Sequence, residues 1–111
     1  MNTKGRIGEE IACQLLRKKG YQIIETNFSS KYGEIDIIAT IDETLVFIEV
    51  KNYSPSNYLS PIESITQKKR RRIRRTIDVY RLKKNITDTN LRVDLVLIEG
   101  SQVDHIEGIT L

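Results

Sequence analysis

Three side chains carry the clearest chemistry in this chain. Glu49 and Lys51 are two residues apart in Val46-Phe47-Ile48-Glu49-Val50-Lys51, and Asp36 lies in Gly33-Glu34-Ile35-Asp36-Ile37-Ile38-Ala39. Both segments read as strands, so Glu49 and Lys51 leave the same face of theirs. A hairpin closed symmetrically about Asp42-Glu43 sets Asp36 opposite Glu49 and Glu34 opposite Lys51. Carboxylates directly opposed on neighbouring strands repel, and a divalent cation offsets that repulsion. Hard oxygen ligands with no His or Cys nearby favour magnesium or manganese over zinc. Lys51, one strand position along, is placed to orient or activate a water and to neutralise charge on a phosphate. Taken alone, Glu-X-Lys also reads as an ion pair at a strand end. The in-register acid and the basic stretch that follows tip the reading toward a metal-phosphate site.

The 111 residues carry a net charge of +3, which conceals a strong asymmetry. Ten Lys or Arg and one acid, Asp78, lie between Lys68 and Lys84, giving +9, while the remainder sums to −6. Within 68–75, seven residues of eight are basic. Lys68, Arg70, Arg71, Arg74, Arg75 and Arg81 lie off the apolar stripe of the helix predicted there. They suit backbone phosphates rather than base edges. Lys69 falls inside the stripe, between Ile65 and Ile73, and is either snorkelling along apolar surface or directed at the active-site end of the sheet. Nucleic acid is therefore the first candidate partner, although a solvated face or an adaptor for an acidic protein surface also fits the charge. With no Trp and no aromatic platform, duplex or branched DNA fits better than a stacked single strand.

The elements that position these residues follow from periodicity. Ile7, Ile11, Ala12, Leu15 and Leu16 predict an amphipathic helix over Thr3 to Lys19, stopped at Gly20. Glu9 falls about 20° beyond Leu16 on the helical wheel, at the rim of the buried stripe, where it reaches toward the sheet or serves the helix dipole. Glu10 points away as a surface charge. Tyr21 to Phe28 reads as a strand and Ser29 to Gly33 as a turn. Glu34 to Thr40 and Leu45 to Lys51 have apolar residues on both faces, the pattern of central strands covered on two sides. A polar loop over Asn52 to Ser60 precedes a second helix from Pro61 to Lys84 with the stripe Ile62, Ile65, Thr66, Ile73, Thr76, Ile77 and Tyr80. Asn85 to Asn90 is a loop, and strands at Leu91 to Glu99 and Val103 to Glu107 complete the order α-β-β-β-α-β-β. The fold class is α/β, one domain over 1–111 with a helix for each face of a central mixed sheet.

The single cysteine, Cys13, excludes an internal disulfide and reads as a small half-buried residue. His105, beside Asp104, reads as a surface residue. No apolar run has membrane-spanning length and no signal peptide is visible, so a soluble, cytoplasmic protein with no membrane partner is expected.

These segments, with Gly5-Arg6-Ile7-Gly8-Glu9-Glu10-Ile11-Ala12, Lys19-Gly20-Tyr21, Asn27-Phe28 and Arg92-Val93-Asp94-Leu95-Val96, resemble the small bacterial YraN-like family. That family is a branch of the PD-(D/E)XK nuclease superfamily, similar to archaeal Holliday-junction resolvases. The resemblance covers nearly the whole chain and implies a restriction-endonuclease-like core. It implies that Asp36 and Glu49 hold Mg2+, with Mn2+ as a substitute, that Lys51 is the catalytic lysine and that Glu9 is an auxiliary acid. Lys69 coincides with a lysine typical of the family. The chain departs from the family's pattern at Lys51-Asn52-Tyr53 and at Leu59-Ser60-Pro61. The implied function is a metal-dependent DNA endonuclease, with DNA favoured over RNA, acting on branched or structured DNA, and a homodimer by analogy with resolvases. The rival reading is a non-catalytic nucleic-acid-binding subunit on the same fold, with Lys68, Lys69, Arg70, Arg71, Arg74 and Arg75 as its contacts.

Overall fold

The computed structural model describes residues 3–52 and 61–111. Helix α1 (Thr3–Lys18) leads into strands β1 (Gln22–Ser30), β2 (Gly33–Ile41) and β3 (Thr44–Asn52). A 3₁₀ turn at Pro61–Ser64, helix α2 (Gln67–Lys83) and strands β4 (Asn90–Glu99) and β5 (Gln102–Ile106) follow. The strands form one sheet in the order β1-β2-β3-β4-β5, antiparallel except for the parallel β3–β4 pair. A parallel pair needs a long crossover, and α2 lies within it. This is the mixed α/β arrangement and element order that the sequence predicts.

Apolar residues on both faces of the central strands require two covering layers, and two form. Phe28, Ile38, Phe47 and Leu95 pack with Ile73, Ile77 and Tyr80 of α2. Ile37, Val46, Ile48 and Val96 pack with Ala12 and Leu16 of α1. The β2–β3 hairpin closes in the predicted register, from Ile41↔Thr44 to Ile37↔Ile48. Its turn residues Asp42 and Glu43 both have positive φ, 46° and 62°, as a two-residue turn of the primed type demands. Among the described residues, no helix is long and apolar enough to cross a membrane.

Several sequence expectations are corrected. The second helix does not run unbroken from Pro61. Thr66 is not part of the stripe but its N-cap, extended in backbone and accepting the Lys69 N–H at 3.1 Å. Ile7 is 52% exposed, and Gly8 takes the buried position in its place. A Cβ at Gly8 would come 3.3 Å from Ile98 Cδ1, so the missing side chain lets α1 lie close to the sheet. Strand β1 extends to Ser30, leaving only Lys31 and Tyr32 as the turn. Cys13 is buried rather than half-buried. The polar loop expected at Asn52–Ser60, and the departures at Tyr53 and Leu59-Ser60, lie outside the described residues from 53 to 60.

His105 is not a surface residue. Its side chain is 3% exposed and belongs to a network around Asp94, which is fully buried on the α1 side of the sheet. The Lys19 ammonium can only donate, so at 2.6 Å it makes His105 Nδ1 the acceptor and leaves the proton on Nε2, which meets Asp94 Oδ2 at 2.8 Å. Arg92 Nε donates to Asp94 Oδ1 at 2.9 Å, and the Tyr21 hydroxyl and the Gly108 N–H each donate at 3.0 Å. Burial works to raise the Asp94 pKa, but the hydrogen bonds from His105, Arg92, Gly108 and Tyr21 outweigh it and hold the carboxyl well below the ordinary 3.8. The spacing Arg92-X-Asp94 on one strand face was the available signal. A group whose pKa is depressed on folding contributes stability above its ordinary pKa and loses it as pH falls. Asp94→Ala should therefore cost about 3 kcal/mol near neutral pH by urea denaturation. It should also flatten the loss of stability that the wild type shows below about pH 4.

Candidate functional site

The acidic residues meet where β2 and β3 part. One position past Ile37↔Ile48, the Asp36 carboxylate replaces the strand ladder, accepting the Val50 backbone N–H at 2.8 Å. The pairing with β1 is interrupted at the same residue. Thr26↔Ile37 and Phe28↔Ile35 are paired, while Asn27 between them is left-handed, with φ 55°. Strict alternation would turn Ile35 to the same face as Ile37. Instead Ile35 packs in the α2 layer and Ile37 in the α1 layer. The strand rolls over at Asp36, and Glu34 and Asp36 converge with Glu9 of α1. Carboxylate oxygens of these three residues all lie within 4.8 Å of one another.

Each acid is held from outside the cluster. Asn27 Nδ2 donates to Glu9 Oε1 at 3.0 Å, and Ser29 Oγ donates to Glu34 Oε2 at 3.4 Å. Glu49, 4% exposed, receives Lys69 Nζ of α2 at 2.9 Å. A cavity of about 340 Å³ opens over Glu9, Glu34, Asp36, Glu49 and Lys69. Burial, followed by the Asp36 charge, pushes the Glu49 carboxyl from 4.5 up to about 8, against the opposing influence of Lys69. Burial and then Asp36 raise Glu9 as well. Burial acts to lower Lys69, but the Glu49 charge and hydrogen bond outweigh it and raise its pKa. Four carboxylates facing one ammonium leave a surplus of negative charge and a set of hard oxygen donors. That combination suits a divalent cation of the magnesium type.

Glu9, Asp36 and Glu49 thus come together as their spacing indicates. Lys51 does not join them. It is half-buried beside Leu97 of β4, does not line the acidic cavity, and makes no ion pair among the described residues. Lys69 supplies the cation at Glu49 instead. Glu34 was missed as a member of the cluster, having been assigned opposite Lys51. Its position two residues before Asp36 on one strand was the signal, but its usefulness depends on the roll at Asp36.

The basic helix divides into groups. Lys68, Arg71, Arg72 and Arg75 follow i, i+3, i+4, i+7 spacing and share one exposed face. Arg74 is exposed elsewhere on the helix. Arg70 is half-buried and donates to the carbonyls of Ile65 at 3.2 Å and Ile62 at 2.9 Å, which ties down the 3₁₀ turn.

Fold and site together define a class: a three-layered mixed α/β protein with an acidic cavity where its central strands part and a basic helix alongside. The chain belongs to the uncharacterised protein family UPF0102, whose model matches residues 8–98. This bears out the YraN-like resemblance and takes in Glu9, Glu34, Asp36, Glu49, Lys69 and Asp94. A UPF0102 protein of Persephonella marina is 42% identical over 105 residues, covering 95% of this chain and 90% of the relative. One of Thermotoga neapolitana is 43% identical over 106 residues, 96% of each chain. One of Campylobacter jejuni subsp. doylei is 42% identical over 106 residues, 96% of this chain and 92% of the relative.

A carboxyl whose pKa is raised on folding opposes folding once its ionised form is demanded. Between the ordinary 4.5 and about 8 the folded state holds a proton that the unfolded state has released, so rising pH destabilises the fold through this group. Glu49→Gln removes that dependence. The stability of Glu49→Gln relative to wild type should increase as urea midpoints are compared from about pH 5 to 8 and level off above that. A constant difference across that range would refute the assignment.

Proposed function

We propose that this chain is a divalent-metal-dependent DNA endonuclease of the PD-(D/E)XK superfamily, on the restriction-endonuclease-like fold, acting on branched or structured DNA. The observation that carries the reading is the convergence of Glu9, Glu34, Asp36 and Glu49 in one cavity beside a helix with seven bases in eight residues. The donor set fits Mg2+, or Mn2+ in its place, held by Asp36 and Glu49 with Glu34 and Glu9 beside them. When bound, such an ion polarises the phosphate and lowers the pKa of a coordinated water.

The chain's own residues do the remaining work. The Val50 N–H and Asn27 orient the Asp36 and Glu9 carboxylates, so the acids are preorganised rather than gathered by substrate. Lys69, half exposed at the cavity mouth, offsets part of their charge and is placed to meet a phosphate oxygen. Lys51 is the second ammonium available to a phosphate, from the next position on the same face of β3. Lys68, Arg71 and Arg75 bind flanking phosphates without reading sequence.

Wild type should cleave branched, flapped or linear duplex DNA only with magnesium or manganese. Asp36→Asn and Glu49→Gln should each lower the rate by roughly 10²-fold or more. The manganese isotherm seen by calorimetry should vanish in the double variant. Metal-dependent cleavage retained in Asp36→Asn would defeat the proposal. Lys51→Ala and Lys69→Ala compared under single turnover identify which ammonium serves the chemistry, by the larger loss of rate.

One observation favours the rival reading of a non-catalytic DNA-binding subunit: Lys51 stands apart while Lys69 already neutralises Glu49. That protein would bind DNA equally with or without metal, and Glu49→Ala would leave binding untouched.

A further inference from the structure

The turn between β1 and β2 faces the basic side of α2 across a second cavity, of about 620 Å³. Lys31 and Tyr32 line it from the turn, and Lys68, Arg71, Arg72 and Arg75 line it from the helix. The two walls are tied together through one ring. Lys31 Nζ lies 5.2 Å and Arg75 Cζ 5.3 Å from the centroid of Tyr32, within the range of cation–π attraction. The backbone on the turn side comes close as well, since a Cβ at Gly33 would sit 3.3 Å from Arg72 Cβ.

Among the described residues, none of these five cations makes an ion pair. Five like charges in one groove repel one another, and an anion laid between them relieves that repulsion. The groove adjoins the acidic cavity at two places along the chain: Gly33 lines the first and Glu34 the second, and Lys68 and Lys69 do the same on the helix. Four carboxylates repel a polyanion, so a strand can lie over them only if cations hold it on either side. The volume accommodates a nucleotide-sized portion of a strand.

We propose that the β1–β2 turn and α2 form the two jaws of a phosphodiester groove, in which Lys31, Arg72 and Arg75 hold consecutive DNA backbone phosphates leading into the acidic cavity and Tyr32 positions the opposing cations. The inference rests on the nucleic-acid reading above and adds the hairpin turn to it, a part of the chain whose sequence gives no basic run. Arg72 gains a role here, and Lys31 and Tyr32 become positioning and binding residues on a segment remote in sequence from the helix.

The test is fluorescence-anisotropy binding of a labelled duplex in EDTA, repeated across a salt series, with no metal and no cleavage. Lys31→Ala/Arg72→Ala is compared with Arg17→Ala/Lys18→Ala, which removes the same charge from exposed positions on α1. The groove double variant should bind at least about tenfold more weakly, and its log–log salt slope should shrink by about 2. The α1 double variant should keep a slope near that of wild type. Tyr32→Leu should weaken binding about threefold through loss of the cation–π contacts. Equal losses in the two doubles would reduce the effect to net charge and overturn the groove. Unchanged binding by Lys31→Ala/Arg72→Ala would also overturn it while leaving the nuclease reading standing. Failure of the wild type itself to bind DNA would overturn both. Melting temperatures of the variants, at exposed positions except for half-buried Tyr32, confirm that each is folded.

Discussion

The structure turns on an electrostatic conflict, the placing of Asp36 and Glu49 side by side at the point where their strands part. Burial removes the solvent that would screen Glu49, and the Asp36 charge makes its ionisation harder still. The surrounding fold answers this conflict piece by piece. The Val50 N–H binds Asp36, and α2 delivers Lys69 to Glu49 from one side of the sheet. From the other side α1 brings Glu9, which adds to the charge rather than relieving it, with Asn27 holding it in place. An arrangement that gathers four acids and supplies one ammonium is poorly explained by stability alone. It leaves a surplus of negative charge and hard oxygen donors, a combination that suits a divalent cation.

Asp94 shows what the same chain does with a buried carboxylate that has no such task. It lies at the centre of donors from Arg92, Tyr21, His105 and the Gly108 N–H, and its pKa is driven down instead of up. Both acids are buried in one sheet, Asp94 on the α1 face and Glu49 one strand away with its partner on α2. Their opposite shifts come from the balance between donors and like charges around each. One carboxylate is satisfied, and fastens β4, β5 and the end of α1 together. The other has one ammonium, Lys69, set against burial and the Asp36 charge, and its pKa stays raised, the kind of perturbation that clusters at sites of chemistry.

The two covering helices do more than seal the core. Gly8 lets α1 approach the sheet closely enough to put Glu9 beside Asp36, and the break before Thr66 sets where α2 begins and hence where Lys69 falls. The 3₁₀ turn ahead of α2 is anchored by Arg70, which thereby leaves the set of bases open to an anion. The bases that remain on the side facing the β1–β2 turn form a row beside the acids. Positive and negative cavities therefore adjoin, the arrangement a cleft needs if it is to hold a polyanion over a carboxylate cluster.

Much of this was legible in the residues. Apolar residues on both faces of 34–40 and 45–51 required a sheet covered twice, and the Asp42-Glu43 turn dictated the register that runs to Ile37↔Ile48 and brings Asp36 near Glu49. Both depend on local periodicity, which a sequence displays directly. The composition likewise revealed the basic stretch. Tertiary structure alone decided that Glu34 joins the cluster, because alternation predicts its face only until the strand rolls at Asp36 opposite left-handed Asn27. It alone decided that Lys69 rather than Lys51 meets Glu49, since that choice depends on where α2 crosses the sheet. It alone took His105 from the surface into a buried network, because residues 19, 21, 92, 94 and 105 become neighbours only when α1 and β5 close around β4. Periodicity specifies which way a side chain leaves its own element, whereas the partner it meets is set by how separate elements pack, and no spacing within the chain encodes that distance.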